Sequence, residues 1–151
     1  MYVREAQKKD EEQVKQLVSS ALSEYGLKAE LTSTDRDLNN LEAHYTKNGG
    51  YFGVVTEDNE VVATIGIFRI NDKTCELRKL YTAPNQRGKG LGKALLDFAM
   101  NLARKRGFKR ITLETTTTSN EAIGLYKGSG FKEYQPPQFT AKCDRAFECE
   151  L

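Results

Sequence analysis

The sequence predicts one domain of the α/β (α+β) class, with a mixed, mostly antiparallel central sheet and flanking helices. Three observations predict it. A chain of 151 residues is close to the commonest size of a single domain, so residues 1–151 are read as one unit. The apolar period changes from the helical to the strand repeat at Asn48-Gly49-Gly50 and back again after Pro84. Between residues 74 and 105 a strand, a glycine-rich turn and a helix follow one another directly.

The elements follow in order. A strand at residues 2–5 opens the chain. Val14, Leu17, Val18, Ala21, Leu22 and Tyr25 then take the i, i+3, i+4, i+7 spacing of an amphipathic helix, with Asp10 and Gln13 resembling a capping box and Gly26 a stop. A shorter helix with Leu38, Leu41 and Tyr45 on one face runs out at Asn48. Segments 51–56, 60–70 and 74–82 are rich in β-branched and aromatic residues and are separated by Glu57-Asp58-Asn59 and Asn71-Asp72-Lys73, which predicts a three-stranded antiparallel meander. Leu91, Ala94, Leu95, Phe98, Ala99 and Leu102 mark the clearest helix, closed by Lys105-Arg106-Gly107, cations at its negative end and a glycine suited to a left-handed cap. A strand at 110–115, a short helix at 120–127, a strand at 131–134 and a last strand follow. In that last strand Cys143, Phe147, Cys149 and Leu151 share one face, which predicts that this face is buried.

Composition excludes several classes. With 38% hydrophobic and 29% charged residues and 14 aromatics, the chain can build an ordinary core and is neither disordered nor a disulfide-stapled miniprotein. Apolar runs are far shorter than the ~20 residues of a membrane span, and the charged N-terminus lacks the apolar core of a secretory signal, so no membrane role and a cytoplasmic location are expected. Cys75, Cys143 and Cys149 have no CxxC spacing and His44 stands alone, so no metal site is expected and the cysteines read as small core residues. A net charge of +2 does not suggest a nucleic-acid partner. Its distribution is uneven: residues 1–60 carry 7 basic and 12 acidic side chains, and residues 61–151 carry 16 and 9. The second half is therefore expected to meet an anion, and the first half to border a cation.

Asn85-Gln86-Arg87-Gly88-Lys89-Gly90-Leu91-Gly92-Lys93 joins a strand to a helix N-terminus, where free N–H groups and the positive dipole end favour an anion, and the glycines let the backbone approach a phosphate. It is not a nucleoside-triphosphate loop, because Gly88 and Gly92 are one residue too close and Ala94 stands where the magnesium-binding hydroxyl belongs. It is not the dinucleotide fingerprint either, which fails at Lys93 and follows a meander strand. The loop instead resembles the cofactor loop of the GNAT N-acetyltransferase superfamily, whose pattern [RQ]-x-x-G-x-[GA] is met by Arg87, Gly90 and Gly92. Residues 119–131, SNEAIGLYKGSGF, resemble that superfamily's second signature.

The resemblance implies that acetyl-CoA, as cosubstrate and without metal, lies between splayed parallel strands at 74–82 and 110–115. Backbone groups of Leu80, Tyr81 and Thr82 would pair with the pantetheine arm, and the amides of Arg87, Gly88, Lys89, Gly90, Leu91, Gly92 and Lys93 would hold the pyrophosphate. Asn120 would touch the arm from the other side, and Tyr126 would sit by the sulfur to assist thiolate departure. Glu76 matches a position where the superfamily often places a glutamate, and Glu114, ending a strand at the same opening, is the second candidate for the proton acceptor. Glu24, Tyr25, Glu30, Asp35 and Asp37 would form an acidic rim for a cationic amine. The implied reaction is acetyl transfer to a primary amine of a small molecule or peptide by direct attack in a ternary complex. A non-catalytic acyl-CoA sensor on the same fold is the alternative, and a homodimer stays open.

Overall fold

A computed structural model describes residues 1–140 and 142–151. Seven strands form one sheet: β1 (Arg4–Glu5), β2 (Tyr51–Glu57), β3 (Glu60–Arg69), β4 (Thr74–Thr82), β5 (Arg110–Thr115), β6 (Lys132–Tyr134) and β7 (Arg145–Glu150), in spatial order β1-β2-β3-β4-β5-β7-β6. Every neighbouring pair is antiparallel except β4 and β5. α1 (Glu11–Ser23) packs over one hydrophobic cluster with Leu38, Tyr45, Phe52 and Val54. α2 (Leu91–Lys105) and α3 (Asn120–Gly128) close another with Ile65, Leu77, Ile111 and Leu113. Leu95 and Leu96 are fully buried there, and truncating either to alanine would cost ~2–5 kcal/mol.

The cleft arises from two departures from regular pairing. β4 and β5 pair only at Thr74↔Arg110, Cys75↔Ile111 and Glu76↔Thr112. Beyond Glu76 they separate while β5 continues to pair with β7 as far as Thr115. In β4, Gly66 faces Arg78 and Thr64 faces Tyr81, so Lys79 and Leu80 together oppose Ile65. This bulge holds Lys79 at φ 54°, and the Thr64 hydroxyl donates to the Lys79 carbonyl at 2.7 Å. A bulge bends and twists its strand, which carries β4 away from β5.

The meander, α2, β5 and α3 form where the pattern predicts. Several local expectations are corrected. The first strand is only Arg4–Glu5. The Asp10/Gln13 capping box does not form: Arg4 grips Asp10 at 2.8 and 2.9 Å, and the Gln13 side chain accepts from the Val61 N–H. Leu38, Leu41 and Tyr45 are buried as expected, but on a 3-10 turn (Arg36–Asn39) and a π turn (Glu42–Thr46) rather than one helix. Tertiary bonds set that geometry, since the Tyr45 hydroxyl donates to Asp37 at 2.5 Å and the Leu41 N–H to Glu11. In β7, Ala146 is as buried as Phe147, so both faces are covered there. Cys143 precedes the strand and is half-buried, as is Cys149; only Cys75 is a core cysteine, its thiol pushed by burial up to about 12.

Candidate active site

The splay opens a cleft of about 590 Å³ lined by α1, β4, the 86–93 loop, the end of β5, the start of α3 and Thr140, Lys142 and Cys143. Its two ends differ in construction.

One end is backbone. The β4 edge past Glu76 has lost its parallel partner, and Leu80, Tyr81 and Thr82 line the cleft there. Next to it, the first helical amide to bond in α2 is that of Ala94, to the Gly90 carbonyl at 3.1 Å. Among the described residues the amides of residues 88–93 have no backbone acceptor. Gly88 and Gly90 lie at φ 77°, and a Cβ built on either meets nothing within 4 Å. The loop is therefore an open concavity of unused donors at a positive helix end, which fits a pyrophosphate. At three of the expected residues the unliganded geometry differs from the expectation. The Arg87 amide is used by the Pro84 carbonyl at 3.3 Å, and its guanidinium pairs with Glu24 at 2.5 and 3.0 Å. Lys89 and Asn120 are exposed and lie outside the lining; at α3 it is Ser119, Glu121 and Ala122 that face the cleft, because each step along a helix turns the side chain by about 100°.

The other end is side chains. Tyr126 is 7% exposed, its ring packed near Phe131 and Phe147. Its hydroxyl makes no hydrogen bond among the described residues, and the residue lines the cleft. Burial raises its pKa, so the phenol keeps its proton at neutral pH. Glu76 is mostly buried and ion-paired with Arg78, whose guanidinium also covers the Phe68 ring at 3.9 Å. Glu114 has no ion pair among the described residues and accepts from the Thr140 N–H at 3.1 Å. Burial, the stronger influence, and the nearby Glu76 charge raise its pKa. Of the two carboxylates, Glu76 thus holds Arg78, and Glu114 holds no cation among the described residues.

The acidic rim is not free. Asp35 is bound by Lys79 at 2.8 Å and Lys142 at 2.9 Å, Asp37 accepts from Tyr45, and Glu24 holds Arg87. Burial alone would raise the Asp35 carboxyl, but Lys79, the Glu30 N–H and Lys142 outweigh it and hold the group at about 2. The acids of the first half do border cations, and the cations are the chain's own. Lys79 and Lys142 were missed by sequence reasoning. The excess of bases after residue 60 was their only signal, and it names no position. Among the described residues no three His, Cys, Asp or Glu side chains are grouped to hold a metal ion, and no helix is long and apolar enough to cross a membrane.

Comparison with known proteins places this geometry. The sequence profile of the Acetyltransferase (GNAT) family matches residues 13–131. The chain is 37% identical over 147 residues to the uncharacterized N-acetyltransferase YjgM of Escherichia coli, covering 94% of this chain and 86% of that protein. An acetyltransferase crystal structure from Streptococcus agalactiae superposes with a TM-score of 0.91 at 27% identity, over 99% of this chain and 98% of that one. The PaiA N-acetyltransferase of Thermoplasma acidophilum, solved in complex with coenzyme A, shares the fold with a TM-score of 0.78 at 21% identity, over 99% and 98% of the two chains.

Proposed function

The chain belongs to the Acetyltransferase (GNAT) family and is an acyltransferase by that membership, and we propose that it moves the acetyl group of acetyl-CoA to a primary amine by direct attack in a ternary complex. The observation that carries this reading is the junction of an unpaired β4 edge, a run of unused amides at 88–93 and the Tyr126 hydroxyl in one cleft. In this reading the backbone of Leu80, Tyr81 and Thr82 pairs with the pantetheine amides, and the 88–93 amides hold the pyrophosphate. Charge-assisted bonds of this kind contribute on the order of 1.5–3 kcal/mol each. Arg87 joins them after leaving Glu24, a surface pair that costs little to break.

The carboxylates have unequal roles. An amine must lose its proton to attack, and the better acceptor is a carboxylate with a raised pKa and no cation bound to it among the described residues. That is Glu114; Glu76, with Arg78 bound to it, orients the ammonium and can relay its proton. Tyr126 donates a hydrogen bond to the sulfur as negative charge grows there, which lowers the barrier to C–S cleavage. Its raised pKa favours stabilising the thiolate over full proton transfer to a thiol of pKa near ~8.5. The free cysteines suit a reducing compartment, in line with a cytoplasmic enzyme.

Two measurements test the reading. Calorimetric titration should give saturable acetyl-CoA binding, and a thiol-trapping assay should show CoA release that depends on an added amine. Binding without amine-dependent release across a broad amine panel would leave an acyl-CoA sensor instead.

A further inference from the structure

The acceptor end holds two lysines whose use the reaction does not explain. The bulge in β4 sends consecutive cations to the same side of the sheet: Arg78 over Phe68 and Lys79 to Asp35. In a regular strand they would point to opposite faces. Lys142, from the segment before β7, crosses to the opposite wall, where it binds the Lys28 carbonyl and the other oxygen of Asp35. Both lysines line the cleft, and their side chains are only 11% and 19% exposed. Withdrawing two ammonium groups from water is costly unless their donors are satisfied. Each ammonium has three N–H donors. Lys79 spends one on Asp35, with Asp37 at 3.6 Å, and Lys142 spends two. Among the described residues, donors therefore remain on both, and both residues line the cleft.

A short stretch of chain links these ammonium groups to the proton acceptor. The Thr140 N–H binds Glu114 and Lys142 binds Asp35, so the two contacts come from positions only two apart in the sequence. Along this wall the cleft passes from Glu114, which has no ion pair among the described residues, to two ammonium groups held by Asp35 and, for Lys79, also by Asp37. This arrangement matches a molecule with a cationic amine at one end and an anion at the other.

We propose that Lys79 and Lys142 are specificity-determining residues that bind a carboxylate of the acceptor, so that the amine acetylated by this protein is that of a small amino acid-like zwitterion. The inference rests on the acetyl-transfer reading above. Asp35 keeps the two ammonium groups together while no acceptor is bound, and the acceptor carboxylate takes their remaining donors, setting its amine toward Glu114.

The test uses the full chain with acetyl-CoA and three matched sets: the twenty L-amino acids, their carboxamides and the corresponding amines lacking the carboxylate. Products are read by mass spectrometry and rates by CoA release. At least one free amino acid should be acetylated with kcat/KM about tenfold or more above its carboxamide. Lys142→Met should shrink that acid-to-carboxamide ratio about tenfold, acting mainly on KM, and Lys142→Arg should restore most of it. Unchanged acetyl-CoA binding by calorimetry certifies that each variant is folded. Equal or better turnover of carboxamides or simple amines, no turnover of any free amino acid, or an unmoved ratio in Lys142→Met would overturn the proposal. A wild-type protein that fails to bind acetyl-CoA would instead overturn the acetyl-transfer reading itself.

Discussion

The two ends of the cleft are built on opposite principles. The cofactor end is backbone supplied by the contiguous stretch 80–93, and its donors depend on chain conformation rather than on side-chain identity. The acceptor end is charged side chains drawn from β4, β5, the 27–39 connection and Lys142, held by ion pairs such as Asp35 with Lys79 and Lys142. A cosubstrate common to a whole family can be held by groups every residue carries, whereas selection among amines needs particular side chains. Substitutions should therefore separate cleanly, with the acceptor end controlling turnover and the cofactor end controlling acetyl-CoA affinity.

The largest expected effect tests the acceptor end. Glu114→Gln should lower kcat/KM at pH 7 about 100-fold or more, within the range of a lost general base, and recover partly toward pH 9.5 as free amine appears. Because its folded pKa is raised, ionised Glu114 opposes folding at neutral pH, so the Gln variant should melt no lower than wild type at pH 7. Glu76→Gln should have the weaker rate effect. A reversed order would exchange the two roles, and two flat pH ratios would remove both carboxylates from proton transfer.

Tyr126→Phe comes next, with kcat lowered about 10- to 100-fold and acetyl-CoA affinity within about twofold. Loss of affinity without loss of kcat would move Tyr126 to the cofactor end of the comparison. That end is tested by two glycines. Gly90 sits at φ 77° with open space on its Cβ side, so Gly90→Ala strains the loop by only ~1–2 kcal/mol. It should still weaken acetyl-CoA about tenfold by turning the amides. At Gly92 a Cβ would make ordinary contact with Leu125 at 3.6 Å, and Gly92→Ala should change affinity less than about threefold. Equal effects at both positions would mean that side-chain bulk, not amide direction, governs the cradle.

The smallest effect concerns stability. A carboxylate depressed in the fold stabilises above its unfolded value, 3.8 for Asp35, and loses that contribution as pH falls through about 2. Asp35→Asn should lower the melting temperature by a few degrees at pH 7, and the difference from wild type should shrink between about pH 4 and pH 2. A difference independent of pH would show that Asp35 acts by packing and not by charge.

Much of this architecture is legible in the residue order, and the boundary has a physical meaning. Apolar period and turn chemistry act between near neighbours, so α1, the meander, α2, β5 and α3 could be read from residue spacing, as could the glycine-rich turn. The 36–46 segment could not be read so well: its apolar spacing is helical, but the Asp37–Tyr45 hydrogen bond drew it into 3-10 and π turns. The family came from two motifs with their own local logic, Arg87 to Gly92 and residues 119–131. What tertiary structure alone decided is the state of the charges. Nothing in the sequence states that Asp35 will meet Lys79, 44 positions away, and Lys142, 107 positions away, or that Arg78 will pair with Glu76 and leave Glu114 without an ion pair among the described residues. Coulombic and desolvation energies depend on separation and burial in space, and a linear order of residues contains neither until the sheet has closed.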